Sequence, residues 1–302
     1  MTRKLILICP GQIVSGGPEA LHQLGRALLD LGLDAAMCYF PFNESFAPPA
    51  AYAHYDVPIC RFETIGAAEL VLPEARTGFA RLFAPDRTWV WWLSVNHYQG
   101  AATDRHLPLE TLRPLRHLSQ SAYATDFLAR NGIRAQALGD YLNHAHMAGT
   151  GPDGPRRRQV AYNPKKGAQA ARAIAARLPG AAFVPIEDMS PAQVTRLLRE
   201  SMLYIDFGPH PGKDRLPREA AMAGACVLTG RQGAAGYAAD VPVPEDYKID
   251  DSTEGVVERA SDAVRDILDN FEERRRDFDG YRGIIAGEKA AFYAQVRAAF
   301  RL

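Results

Sequence analysis

Hydrophobic and polar positions follow two alternating patterns along most of the chain. Lys4–Cys9 (KLILIC) is a continuous apolar run of strand length, as expected of a strand buried on both faces of a parallel sheet. The loop PGQIVSGG follows. Pro18 then opens a helix whose stripe of Leu21, Leu24, Leu28 and Leu31 keeps helical spacing until Gly32. Asp34–Phe40, Thr88–Val95, Leu115–Ser119 and Gln136–Gly139 read as further strands, and Ala122–Asn131 as a helix stopped by Gly132. Residues 148–158 (AGTGPDGPRRR) break the rhythm and read as an exposed linker. Beyond it the alternation restarts. Strands are predicted at Gln159–Tyr162, Ala182–Pro185, Leu203–Phe207 and Ala225–Thr229. Helices are predicted at Ala168–Leu178, at Pro191–Glu200 behind the N-cap Ser190, and from Pro217 onward. Residues 252–302 read as helical and heavily charged. Two tandem runs of strand and helix predict an α/β protein of two helix-flanked parallel sheets joined by a hinge. In such architectures ligands bind in the cleft between the halves.

Charge and cysteine content narrow the class. Lys+Arg and Asp+Glu both total 35, which removes a whole-molecule attraction to nucleic acid and leaves only local patches. Cys9, Cys38, Cys60 and Cys226 show no C-x-x-C and no zinc spacing; Cys9, Cys38 and Cys226 lie in apolar runs and read as buried hydrophobes. The start MTRKLILICPGQ has too short an apolar stretch for a signal peptide, and no run is long enough to span a bilayer. The expected compartment is the cytoplasm, with Arg156–Arg158 as a patch for contact with the inner face of an anionic membrane.

The stretch GPHPGKDRLPREAAMAGACVLTG, residues 208–230, carries the chemistry. A strand, a glycine-bearing loop and a helix N-terminus at Pro217 offer unbonded backbone N–H groups and the positive end of a helix dipole. Gly208 and Gly212 permit close approach to the backbone, and Lys213, Arg215 and Arg218 add positive charge. Glu219 would repel a phosphate but suits the paired hydroxyls of a ribose. The same stretch read blandly is a helix start charged for solubility, with Glu219 favouring the dipole. A second basic loop shifts the balance: Tyr162–Gly167 (YNPKKG) places Lys165 and Lys166 at a neighbouring strand end, and parallel strands end on one edge. The ligand implied is a nucleotide, with its diphosphate at the loops and its ribose at Glu219.

Lys166-Gly167 and the run Glu219-Ala-Ala-Met-Ala-Gly224-Ala-Cys-Val227 resemble elements of nucleotide-sugar glycosyltransferases of the GT-B type. The resemblance implies two Rossmann-like domains with parallel sheets facing across a cleft: residues 1–147 for the acceptor, residues 159–285 for the donor. It also implies a C-terminal helix, residues 286–302, crossing back to the first domain through Ala290, Phe292, Tyr293, Val296, Ala299 and Phe300. Lys166 then contacts the donor diphosphate and Glu219 the ribose. Gly16-Gly17 resembles the family's N-terminal glycine loop, near the donor phosphates and acceptor. One position departs: retaining members carry an acid eight residues before the ribose glutamate, where this chain has Pro211, so His210, Lys213 or Asp214 has another task.

Together these readings make Gly16, Gly17, Lys165, Lys166, His210, Gly212, Lys213, Arg215 and Glu219 the expected donor-binding set. His97, just after an aromatic strand, is the leading general base, with Glu19 and His22 as rivals. Asn143, His144 and His146 read as a polar hinge cluster, and Asp277 and Asp279 as a solvated face, so neither a metal nor a resident cofactor is expected. Trp89, Trp91 and Trp92 read as core packing, with an acceptor groove as the alternative. The dinucleotide G-x-G-x-x-G, the P-loop and the G-x-S-x-G elbow are missing. The function expected is transfer of a sugar from a nucleotide donor to a hydroxyl of a glycan or glycolipid, in bacterial-type glycoconjugate synthesis. The rivals are an epimerase or hydrolase on the same scaffold, and a non-catalytic nucleotide-sugar binding module.

Overall fold

A computed structural model describes residues 3–100, 105–143, 147 and 156–301; His144, His146 and residues 148–155 of the expected linker lie outside them. The chain divides into two compact units, Met1–Tyr141 with Lys289–Leu302, and Leu142–Glu288.

The first unit is built on six parallel strands: β1 (Lys4–Pro10), β2 (Asp34–Phe40), β3 (Glu69–Pro73), β4 (Thr88–Trp92), β5 (Arg116–Ser119) and β6 (Gln136–Ala137), in the order β2-β1-β3-β4-β5-β6. The helices are α1 (Gly16–Asp30), α2 (Val95–Gln99), α3 (Leu109–Leu112) and α4 (Ala122–Arg130). The period of two in a strand sorts side chains between two cores. Leu5, Leu7 and Cys9 join Leu21, Leu24 and Leu28 of α1 on one face, whereas Ile6 and Ile8 join Leu112 and Leu128 on the other. Trp91 and Trp92 are fully buried on opposite faces, so the aromatic strand is core and not an acceptor groove. Strand β3 was not evident in the sequence. It fills the gap between β1 and β4, and the chain order reverses beside it.

The second unit holds four parallel strands, β7 (Arg157–Tyr162), β8 (Ala182–Pro185), β9 (Ser201–Asp206) and β10 (Cys226–Thr229), in the order β10-β9-β7-β8. Its helices are α5 (Ala168–Ala176), α6 (Pro191–Glu200), α7 (Arg215–Met222), α8 (Val256–Asp269) and α9 (Phe271–Arg274). Ser190 and Gln193 close a capping box that starts α6 where Pro191 predicts it. Of Arg156–Arg158, Arg157 and Arg158 are exposed and Arg156 is half-buried. Arg156 donates to the carbonyls of Leu198, Ser201 and Ala223, Arg157 faces Glu200 and Arg158 faces Asp269. Arg156 is held by carbonyls inside the unit, whereas Arg157 and Arg158 pair with acids at the surface and stay exposed.

Helix α10 (Asp279–Phe300) serves both units, its residues through Glu288 belonging to the second and those from Lys289 to the first. In the first unit Phe292, Val296 and Phe300 are buried beside Trp89, Trp91 and Tyr141, each stabilising by about 1.5–3 kcal/mol. Gln295 accepts from the Gly139 N–H at 2.8 Å.

Candidate active site

In the second unit the strand order switches between β7 and β9, and the loops leaving their carboxyl ends touch. Open α/β sheets bind ligands at this switch point. The Asn163 side chain accepts the Lys165 N–H at 3.0 Å and shapes the first loop, which ends on Gly167 at φ +70° as α5 begins. A Cβ on Gly167 would lie 1.7 Å from the Phe207 carbonyl oxygen, and one on Gly208, at φ +130°, 3.2 Å from the Gly167 nitrogen. Only glycine allows the two backbones to meet this closely.

Lys166 crosses from one loop to the other. Its Nζ lies 3.2 Å from Asp206 Oδ1 at the end of β9 and bonds the carboxylate of Asp214, the N-cap of α7. His210 is fully buried between the same two acids, with Nε2 3.3 Å from the Asp206 carbonyl and Nδ1 3.3 Å from Asp214 Oδ2. Its backbone is pinned by Gln232 and Ala234. The side chains of Asp206, His210 and Asp214 could ligate a metal ion, all within 4.8 Å of one another; the Lys166 ammonium contacts both carboxylates and offsets one of their two charges.

The positive charge read in residues 213–218 is likewise matched. Arg218 is fully buried, donating to the Lys213 and Asp214 carbonyls and to Glu288 Oε2 at 2.9 Å. Lys213 Nζ lies 2.6 Å from Glu288 Oε1, and Arg215 Nε lies 3.4 Å from Glu219 Oε1, one turn along α7. Lys166, Lys213, Arg215 and Arg218 therefore face Asp206, Asp214, Glu219 and Glu288. The expected basic lip is electrically balanced in this structure, and what it offers an anion is exposed Lys165 and the N-termini of α5 and α7. The Glu219 side chain is 10% exposed, and Gly212 is buried within the loop.

The first unit gathers a second set of groups at the carboxyl edge of its sheet. Gly16 and Gly17 open α1, and a Cβ on Gly17 would meet Leu93 Cδ1 at 3.7 Å, so the loops after β1 and β4 adjoin. The Tyr52 hydroxyl bonds both the N–H and the carbonyl of Ser15, fixing the glycine loop. Ser94 caps α2 by accepting the His97 N–H at 3.2 Å, leaving the imidazole 70% exposed. Behind it, directly after β3, stands Glu74, a residue that the sequence reading did not single out. Its Oε2 accepts the Leu93 N–H at 3.0 Å, and its Oε1 lies 3.9 Å from His97 Nδ1. Burial pushes the Glu74 carboxyl up to about 7, against the opposing pull of the Leu93, Glu74 and Ser94 backbone N–H groups.

The rival bases are placed elsewhere. Glu19 and His22 are buried in the core: Glu19 accepts the Tyr55 hydroxyl at 2.9 Å, and His22 contacts the Pro18 carbonyl and the Tyr39 hydroxyl. Burial lowers the His22 pKa, partly offset by the Pro18 bond. Neither side chain is open to an acceptor. Asp277 and Asp279 are exposed, and Asp277 accepts the Tyr247 hydroxyl.

Sheet order, glycine-bound loops and the carboxyl-edge clusters define a class: the chain has the two-domain α/β fold of GT-B glycosyltransferases. It is similar to the solved sucrose-phosphate synthase of Thermosynechococcus elongatus at 13% identity, with a TM-score of 0.68 over 99% of this chain and 98% of that one. It is similar to Anabaena HepE in complex with UDP-glucose at 10% identity, with a TM-score of 0.70 over 99% of both chains. The T4 phage β-glucosyltransferase with its UDP-glucose substrate matches at 10% identity, with a TM-score of 0.60 over 99% of this chain and 100% of that one. No protein-family model matches the sequence, and comparison with curated proteins finds no match.

Proposed function

We propose that the protein moves a sugar from a nucleoside-diphosphate donor to an acceptor hydroxyl. One observation carries the reading: the Lys166-Gly167 turn and the N-terminus of α7 meet at the switch point of the second sheet, joined by Lys166 and Asp214. The donor diphosphate competes with Asp206 and Asp214 for the Lys166 ammonium and takes hydrogen bonds from the N–H groups that open α5 and α7. Glu219, one turn into α7, accepts from the ribose hydroxyls once Arg215 turns toward phosphate. The bond from the anomeric carbon to the diphosphate breaks, a new bond to the acceptor oxygen forms, and the acceptor proton passes to His97. Glu74 supports that step by facing Nδ1, which leaves Nε2 for the hydroxyl. Lys166, Lys165 and the helix N-termini offset the charge of the departing nucleotide without a metal ion.

The acceptor is proposed to be a glycan or glycolipid. Ile13 and Val14, 50% and 60% exposed on the loop ahead of Gly16, give an apolar surface suited to its non-sugar part. No helix among the described residues is long and apolar enough to cross a membrane, so a lipid-linked acceptor would be met at the bilayer surface.

Calorimetry with a panel of nucleoside diphosphates and their sugars tests the reading. One nucleotide should bind well above the rest, and Glu219→Ala should weaken it by about ten-fold or more with the fold intact. A panel in which no nucleotide binds refutes the assignment. Incubation with donor alone separates the rivals, since an epimer or a released sugar formed without acceptor favours an epimerase or hydrolase. Binding without turnover on any acceptor favours a binding module.

A further inference from the structure

The carboxyl edge of the first sheet holds His97, and the amino edge holds a different feature. The first residues of β3, β4 and β5, the residue preceding β1 and the end of α10 surround a cavity of about 520 Å³. Arg3, Arg116, Arg134 and Arg301 line it, with Glu69 as the single carboxylate and Trp89 as part of the wall.

Glu69 is saturated. It accepts from Arg3 Nε at 2.6 Å, Arg3 Nη2 at 2.9 Å, Trp89 Nε1 at 2.8 Å and Arg116 Nη1 at 3.1 Å. It therefore neutralises one of four guanidinium charges and fixes two of those groups in place. Aromatic faces fix them further: Arg116 lies over the Trp89 ring at 5.1 Å and Arg3 over the Phe300 ring at 5.6 Å. Among the described residues no hydrogen bond or ion pair holds Arg134 or Arg301, and both are exposed at the rim. Two preorganised guanidiniums in the wall and two uncommitted ones at the rim leave three positive charges around a space of ligand size.

We propose that this cavity binds a phosphoryl anion, a diphosphate or a phosphate monoester. A single carboxylate would leave most of that charge unmatched. A diphosphate carries two to three negative charges, and its tetrahedral oxygens can accept from several directions at once. The five residues of β4 separate this edge from the His97 edge by roughly 16 Å, so an occupant here does not reach the proposed base. Binding at this edge does not depend on sugar transfer by the protein. The phosphoryl group could belong to a soluble metabolite or to a lipid headgroup, and the experiment separates the two.

All three tryptophans lie in β4, so tryptophan emission reports on this unit and not on the loops of the second. Inorganic pyrophosphate should change the emission saturably, with binding heat to match. The double variant Arg134→Ala/Arg301→Ala, altered only at exposed positions, should keep its circular dichroism and weaken that binding about ten-fold or more. Co-sedimentation with phosphatidylcholine vesicles, with and without phosphatidylglycerol, is the second arm. Capture by the anionic vesicles alone, lost in the double variant, assigns the site to a headgroup; pyrophosphate binding without capture assigns it to a soluble ligand. The proposal is overturned if neither arm shows binding, if the double variant binds like the parent, or if sulfate binds as tightly as pyrophosphate.

Discussion

Replacing Glu74 by glutamine tests the buried acid behind His97. The carboxyl is pushed by burial from the usual 4.5 to about 7, so the folded chain holds this proton over a range where the unfolded chain has released it. Stability from this group is fully present below about pH 4.5 and lost as pH rises through 7. At about 1.4 kcal/mol per unit of pKa, the whole difference is on the order of 3 kcal/mol, and about 2–3 kcal/mol of it falls between about pH 5 and about pH 8. The amide of Glu74→Gln cannot titrate, so the variant should lack that decline. It gives up one carboxylate hydrogen bond, a cost of about 1 kcal/mol that does not vary with pH. The assay is urea unfolding at the two pH values, followed by tryptophan emission, because β4 lies beside the loop that Glu74 caps. The stability of the parent should fall by about 2–3 kcal/mol more than that of Glu74→Gln across this window. Parallel behaviour of the two proteins would falsify the placement of a protonated carboxyl there. In the transfer assay the same variant should change the pH profile of kcat as well as its height, because Glu74 faces His97 Nδ1.

Other perturbations follow from close contacts. Gly167→Ala should destabilise the second unit by about 2 kcal/mol or more and abolish donor binding, since the added carbon meets the Phe207 carbonyl at 1.7 Å and the backbone is left-handed. Gly180→Ala, with nothing near its Cβ, serves as the control in the same denaturation and calorimetry. Glu288→Ala should cost about 3–5 kcal/mol in chemical denaturation, because it removes the carboxylate that faces both buried Arg218 and the Lys213 ammonium. A loss below about 1 kcal/mol would show that water takes over those charges. Lys166→Met should weaken nucleoside-diphosphate binding in calorimetry by about ten-fold or more, and unchanged affinity would remove Lys166 from the donor site.

What the sequence reveals of this molecule is what local periodicity can carry. β1, α1 and β2 follow from an unbroken apolar run, a leucine stripe and a bounding glycine, and α6 from Ser190 and Pro191. Lys166-Gly167 and the head of α7 were legible as a pair because both follow strands of one parallel sheet. β3 was not, since ELVLP is short, ends in proline and sits among three-residue turns with no period of their own. Glu74 disappeared with it. The strand predicted to run through Val95 stops at Trp92, because Ser94 turns its hydroxyl to cap α2. Charge balance was the least legible property. Arg218 meets an acid 70 positions away and Lys166 one 48 positions away, separations that no spacing rule registers. A run of lysines and arginines shows how many cations a loop has, and only the fold shows how many are already occupied.

The two-part membership of α10 has a consequence for biosynthesis. The apolar seat for Phe292, Val296 and Phe300 is made by the first 141 residues, yet its occupant is translated only after residues 142–288 have been added. At typical elongation rates of about 5–20 residues per second, that interval is on the order of ten seconds. During it Trp89 and Trp91 lack on the nascent chain the Phe300 and Phe292 rings that later cover them.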